Sequence, residues 1–106
     1  MTMRRDIHIW ITRIARQFKP DKIILFGSHA YGQPKSGSDI DLLVVMPDID
    51  STIQKASEIR LALPADIPID VVVRTPEQIN KRLKMNDFFI REIMEKGRVL
   101  YAAGSA

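Results

Sequence analysis

Cysteine is absent from this 106-residue sequence, so disulfides and thiolate metal ligands are excluded and a reducing, cytoplasmic setting is expected. No apolar run approaches the roughly 20 residues that a membrane-spanning helix needs, and no membrane association is expected. Internal repeats and low-complexity tracts are missing as well. The N-terminus carries Arg4 and Arg5, but Asp6, His8 and Arg13 follow in an amphipathic stretch, which is not the pattern of a signal peptide. Dense charge of one sign is also scarce. Formal net charge is +3, and the basic residues are spread along the chain apart from Lys81-Arg82-Leu83-Lys84. Such a distribution reads as solvated helix faces, so nucleic acid is not expected as a direct ligand.

What is present suffices for one core. Hydrophobic residues make up 45% and charged residues 27%, the balance of an ordinary globular protein. A chain of this length buries roughly 60–70% of the surface its unfolded form exposes. A single domain over 1–106 is therefore expected, with a frayed tail at 102–106. Ile7, Ile11, Ile14, Ala15 and Phe18 recur at helical spacing, and Pro20 stops that helix near Lys19. Lys22 to Phe26 is short, apolar and β-branched, and predicts a buried strand. A polar loop over 29–38 leads to a second strand over 39–46. Ser51 to Gln54 resembles a capping box and starts a helix to about Leu63. Ile69 to Val73 predicts a third strand, and Thr75-Pro76-Glu77-Gln78 a strong helix start. Asp87 caps a last helix over 88–96, stopped by Gly97, with Phe89, Ile90, Ile93 and Met94 inward, and Val99 to Tyr101 is a short final strand. Trp10, Phe18, Phe88 and Phe89 are read as core or interface residues. The order predicts an α/β (α+β) domain with a small mixed sheet flanked by helices.

The chemistry concentrates between Phe26 and Asp41, F-G-S-H-A-Y-G-Q-P-K-S-G-S-D-I-D. Asp39 and Asp41 are one residue apart at the start of a strand, so they share a face. Asp70 sits inside another apolar run, where an unpaired charge costs several kcal/mol, so a role beyond packing is expected for it. If the two strands are neighbours, three carboxylates converge, and their repulsion calls for a cation. Oxygen-only ligands favour Mg²⁺ or Mn²⁺, and a pair of such ions serves phosphoryl or nucleotidyl transfer. The Gly27-Ser28 turn supplies the complementary part, because glycine admits an anion close to the backbone and Ser28 offers a hydroxyl. Tyr31 is open to two readings, stacking on a base or packing over the loop.

Gly27-Ser28, ten intervening residues, then Asp39-Ile40-Asp41 resembles the signature of the minimal nucleotidyltransferase (MNT) family within the DNA polymerase β-like superfamily. Asp70 matches the family's third carboxylate, and the resemblance covers nearly the whole chain. It implies an enzyme of the polymerase β-like fold. Asp39, Asp41 and Asp70 would be its metal-binding and catalytic residues, with two Mg²⁺ ions as cofactors and ATP as the nucleotide substrate. Gly27, Ser28 and Ser38 would hold the triphosphate. Family members often pair with HEPN-domain toxins and act as antitoxins by transferring AMP to a tyrosine of the partner. That function is expected here, in a homo- or hetero-oligomer. The alternative is a binding-type antitoxin that neutralises a HEPN partner by complex formation. At the positions of His29 and Tyr31 many relatives carry arginine, and Lys35 is the compensating cation nearest in sequence.

Overall fold

A computed structural model of the chain describes residues 3–32 and 39–104. Helix α1, Met3–Phe18, turns its Ile7, Ile11 and Ile14 stripe inward and ends where Lys19 adopts a left-handed φ of 50° before the buried Pro20. Strand β1, Lys22–Phe26, is followed by the one-turn helix α2, Ser28–Tyr31. Strand β2 spans Ile40–Val45, helix α3 Thr52–Leu61 and strand β3 Ile69–Arg74. Helices α4, Pro76–Lys84, and α5, Phe88–Lys96, precede strand β4, Arg98–Ala102.

The helix starts follow the capping chemistry of the sequence. Thr75 Oγ1 accepts from the Gln78 N–H at 3.1 Å while Gln78 Oε1 accepts from the Thr75 N–H at 2.9 Å, which closes the capping box of α4. Ser51 makes the first half of such a box, accepting from the Gln54 N–H at 3.1 Å. Asp87 Oδ1 caps α5 through the N–H groups of Phe89 and Ile90.

The four strands form one mixed sheet in the order β3-β2-β1-β4, with β2 and β3 parallel and the other pairs antiparallel. Parallel pairing requires a crossover, and α3 provides it. Ile23, Leu25, Ile40, Leu42, Val44, Ile69 and Val73 pack on one face against α1 and α3. Ile24, Phe26, Leu43 and Val45 pack on the other against Ile79 of α4 and Ile90 and Ile93 of α5. Burial of central strands on both faces explains why they read as continuous apolar runs.

Two expectations change. Phe88 is 83% exposed and belongs to no core, and Phe89 is half-exposed although its ring meets Phe26 edge-on at 5.6 Å. Fraying does not begin at 102 as expected, because Ala102 closes β4 and the Ala103 N–H donates to the Asp21 carbonyl at 2.8 Å, while 105–106 lie outside the described residues. Among the described residues, no helix is long and apolar enough to cross a membrane.

Candidate active site

Both apolar strands and the parallel crossover bring their polar ends to one end of the sheet. β1 finishes there at Phe26, and Gly27 turns the chain with φ 77° and ψ −160°, a region that only glycine populates readily. A second constraint acts at the same residue. A Cβ on Gly27 would run into the carboxylate of Asp41, so the backbone approaches that side chain as closely as a bare glycine permits. The N–H groups of Ala30 and Tyr31 donate back to the Gly27 carbonyl at 3.0 and 3.2 Å and begin α2, with the Ser28 side chain exposed beside them.

The parallel register of β2 and β3 sets Asp41 directly opposite Asp70. Neighbouring strands lie ~4.8 Å apart and paired residues point to the same face, so the two carboxylates share a row. That row continues into Phe26 of β1, which pairs with Asp41 on its other side. The residues next along this face, Leu43 and Val45, are covered by α4 and α5, whereas Asp70 is exposed and Asp41 half-buried. Asp39, one residue ahead of β2, completes the group through a hydrogen bond with the Asp70 side chain.

Electrostatics reflect this crowding. Partial burial pushes the Asp41 carboxyl above its ordinary value, the charges of Asp70 and Asp39 push it further, and His29 pulls it back. Asp70 is also raised, first by lost hydration, then by the hydrogen bond and charge of Asp39, with Arg60 acting in the opposite sense. Arg60 has a second task. Its guanidinium donates to the carbonyls of Pro64, Ala65 and Ile67 at 3.0, 3.3 and 2.9 Å and so ties down the connection that delivers β3.

Gly27, Asp39, Asp41 and Asp70 are therefore brought together, with Ser28 one residue along the turn. Ser38 and Lys35 lie outside the described residues. Among the described residues, no group of three or more His, Asp and Glu side chains stands in a metal-holding arrangement. Asp39 and Asp70 meet through a hydrogen bond between their side chains. The donor set nevertheless suits a hard divalent cation: oxygen-only, multiply negative and open to solvent on one side. Arg60 was not legible as part of the site. Its one signal is a basic residue in the last turn of a helix before a proline-bracketed connection. His29, which the sequence places at the start of the polar loop, acts on Asp41 through its charge.

A Gly-Ser turn packed on a carboxylate row is the arrangement that the motif resemblance implies. The family model for the nucleotidyltransferase domain matches residues 9–100, most of the chain and all of this site. The chain is a member of the nucleotidyltransferase domain family. It is 43% identical over 81 residues to a Methanocaldococcus jannaschii protein named as a candidate protein adenylyltransferase, covering 76% of this chain and 77% of that one. A second protein of the same organism and similar name is 30% identical over 79 residues, 74% and 77% of the two chains. The fold of this nucleotidyltransferase also matches the crystal structure of a candidate nucleotidyltransferase from Sulfolobus solfataricus. The TM-score is 0.67 at 16% identity, with 94% of this chain and 80% of that one covered. Family membership makes the protein a transferase with a nucleoside triphosphate as substrate.

Proposed function

We propose that the protein transfers AMP from ATP to a hydroxyl of a partner protein, a tyrosine of a HEPN-domain toxin, and so acts as its antitoxin. The observation that carries this reading is the carboxylate row, Asp41 opposite Asp70 with Asp39 bonded to Asp70, against which Gly27 packs. The two relatives named as candidate protein adenylyltransferases support a protein as acceptor. The motif resemblance to minimal nucleotidyltransferases supports the HEPN partner.

Asp39, Asp41 and Asp70 would hold two Mg²⁺ ions, or Mn²⁺ in their place. Bound there, such ions would neutralise phosphate charge and favour the ionised form of an attacking hydroxyl. The Gly27-Ser28 turn would receive the β- and γ-phosphates on backbone N–H groups and the Ser28 hydroxyl, with Ser38 as a further contact. Asp70 would orient the acceptor hydroxyl and take its proton. The hydroxyl oxygen then bonds to the α-phosphorus, and pyrophosphate leaves. We further infer that residues 1–106 act as a single domain whose acceptor surface comes from the partner, so the working species is an oligomer.

Incubation with a HEPN partner and ATP labelled at the α-phosphate tests this. Label should appear on a partner tyrosine with the wild type. Removing one carboxylate forfeits several kcal/mol of charge stabilisation, so Asp41→Asn should cut the rate by about 10²–10³-fold. Full transfer by Asp41→Asn would defeat the assignment. Full neutralisation of the toxin by that variant without transfer would favour a complex-forming antitoxin.

A further inference from the structure

Beyond the C-terminal end of β3 lies a groove of about 400 Å³ between the start of α3, the end of β3 and α4. Three cations line it, Arg74, Lys81 and Arg82, together with the apolar side chains of Ile53 and Met85. Its remaining walls, Thr52 and Gln78, are neutral, so among the described residues no carboxylate lines the groove. Among the described residues, neither Arg74 nor Lys81 has an acidic side chain within ion-pair distance. Arg74 spends one donor on the Val73 carbonyl at 2.8 Å. Arg82 approaches Asp87 only at 3.8 Å, and that carboxylate is engaged in capping α5. Ile53 is 81% exposed and Met85 61% exposed, a large apolar outlay on a chain this small.

Arg74 and Lys81 without an ion-pair partner among the described residues, Arg82 paired only at 3.8 Å, and two exposed apolar side chains match one kind of occupant. We infer that this groove docks an acidic, amphipathic segment of a partner protein. Carboxylates of that segment meet Arg74, Lys81 and Arg82, and its apolar side chains cover Ile53 and Met85. A nucleic-acid backbone would satisfy the cations but leave the two apolar side chains in water. Exposed isoleucine and methionine lining one groove with two arginines suit a protein–protein contact, where Met and Arg are enriched. Arg74 stands four residues beyond Asp70 on β3 and on the same face, a separation of ~13 Å at the strand rise. Binding there needs no transfer activity, whereas delivery of an acceptor hydroxyl rests on the proposed nucleotidyl transfer.

Fluorescence polarisation tests the groove with two labelled probes of equal charge, a Glu/Leu amphipathic helical peptide and an oligouridylate. The peptide should bind, and more weakly as salt rises. Lys81→Glu/Arg82→Glu should weaken it at least about tenfold, the loss expected where more than 1 kcal/mol of contact is removed. Ile53→Ser, at a position the fold does not bury, should weaken it by a similar factor while leaving the melting temperature unchanged. Asp41→Asn should bind the peptide as the wild type does, which separates docking from transfer. Absence of peptide binding at millimolar concentration would overturn the inference. So would tighter binding of the oligouridylate, or peptide binding indifferent to all three groove substitutions.

Discussion

Gly27 is held by two independent constraints, its backbone conformation and the Asp41 carboxylate lying where a side chain would begin. Either alone disfavours substitution, since an L-residue at such φ/ψ costs of order 1–3 kcal/mol. The close approach adds a functional penalty, because any side chain would push the Asp41 carboxylate out of its row with Asp70. Gly27→Ala should therefore lower stability by about 1–3 kcal/mol in denaturant melts. It should also reduce nucleotide binding by more than that loss explains, as titration of the folded variant would reveal. Asp39 and Asp41 were legible because two acidic residues at the mouth of an apolar run need a reason to be there. Arg60 was not, since a cation in a last helical turn has an ordinary explanation in the helix dipole.

At the scale of elements, α5 holds the candidate site's flank in place. It is closed against β1 by Gly97, where a Cβ would meet the Ile93 carbonyl, lie 2.6 Å from Ile24 Cγ2 and stand 3.1 Å from the Leu25 carbonyl. The backbone of Gly97 itself is unstrained, with φ −66°, so the constraint is space alone. Gly97→Ala should destabilise by about 1–3 kcal/mol through overpacking, read as a lower denaturation midpoint. Gly97→Ala should also disturb the edge-on contact of Phe89 with Phe26, the neighbour of Asp41, visible in the aromatic proton shifts of both rings. The caps of α4 and α5 and the amphipathic stripe of α1 were readable because they are local in sequence. For Phe88, read as a core or interface residue, the structure removes only the core reading, because hydrophobicity alone does not say which side of a helix start faces the sheet.

For the whole molecule, the sheet gathers negative charge at one end in a chain whose net charge is +3. Asp41 and Asp70 both hold their protons above the unfolded value of 3.8. Their contribution to stability is thus fully present below pH 3.8 and lost as pH rises through the folded values. At neutral pH the row is a cost, so Asp41→Asn should raise the melting temperature at pH 7, with the gain vanishing below pH 3.8. Mg²⁺ at ten times its dissociation constant would add about 1.4 kcal/mol, or roughly 6–10 °C for a domain of this size. Thermal melts should show that rise in the wild type and not in Asp41→Asn/Asp70→Asn. An equal rise in both would remove the carboxylate row from metal binding.

Local sequence was enough to specify the elements and to mark the candidate site. Apolar periodicity, caps and prolines act over a few residues, and the Gly27-Ser28 turn with Asp39, Asp41 and Asp70 marks a candidate phosphate-and-cation site by residue type and spacing alone. Only the tertiary structure decided that Asp70 faces Asp41, because that depends on strand order and on a parallel register closed by α3. The same holds for Gly27 against the Asp41 carboxylate, Arg60 behind Asp70, and the groove that joins α3, β3 and α4. Each joins residues distant in the chain, and such contacts are chosen by burial of the sheet's two apolar faces rather than by any local preference.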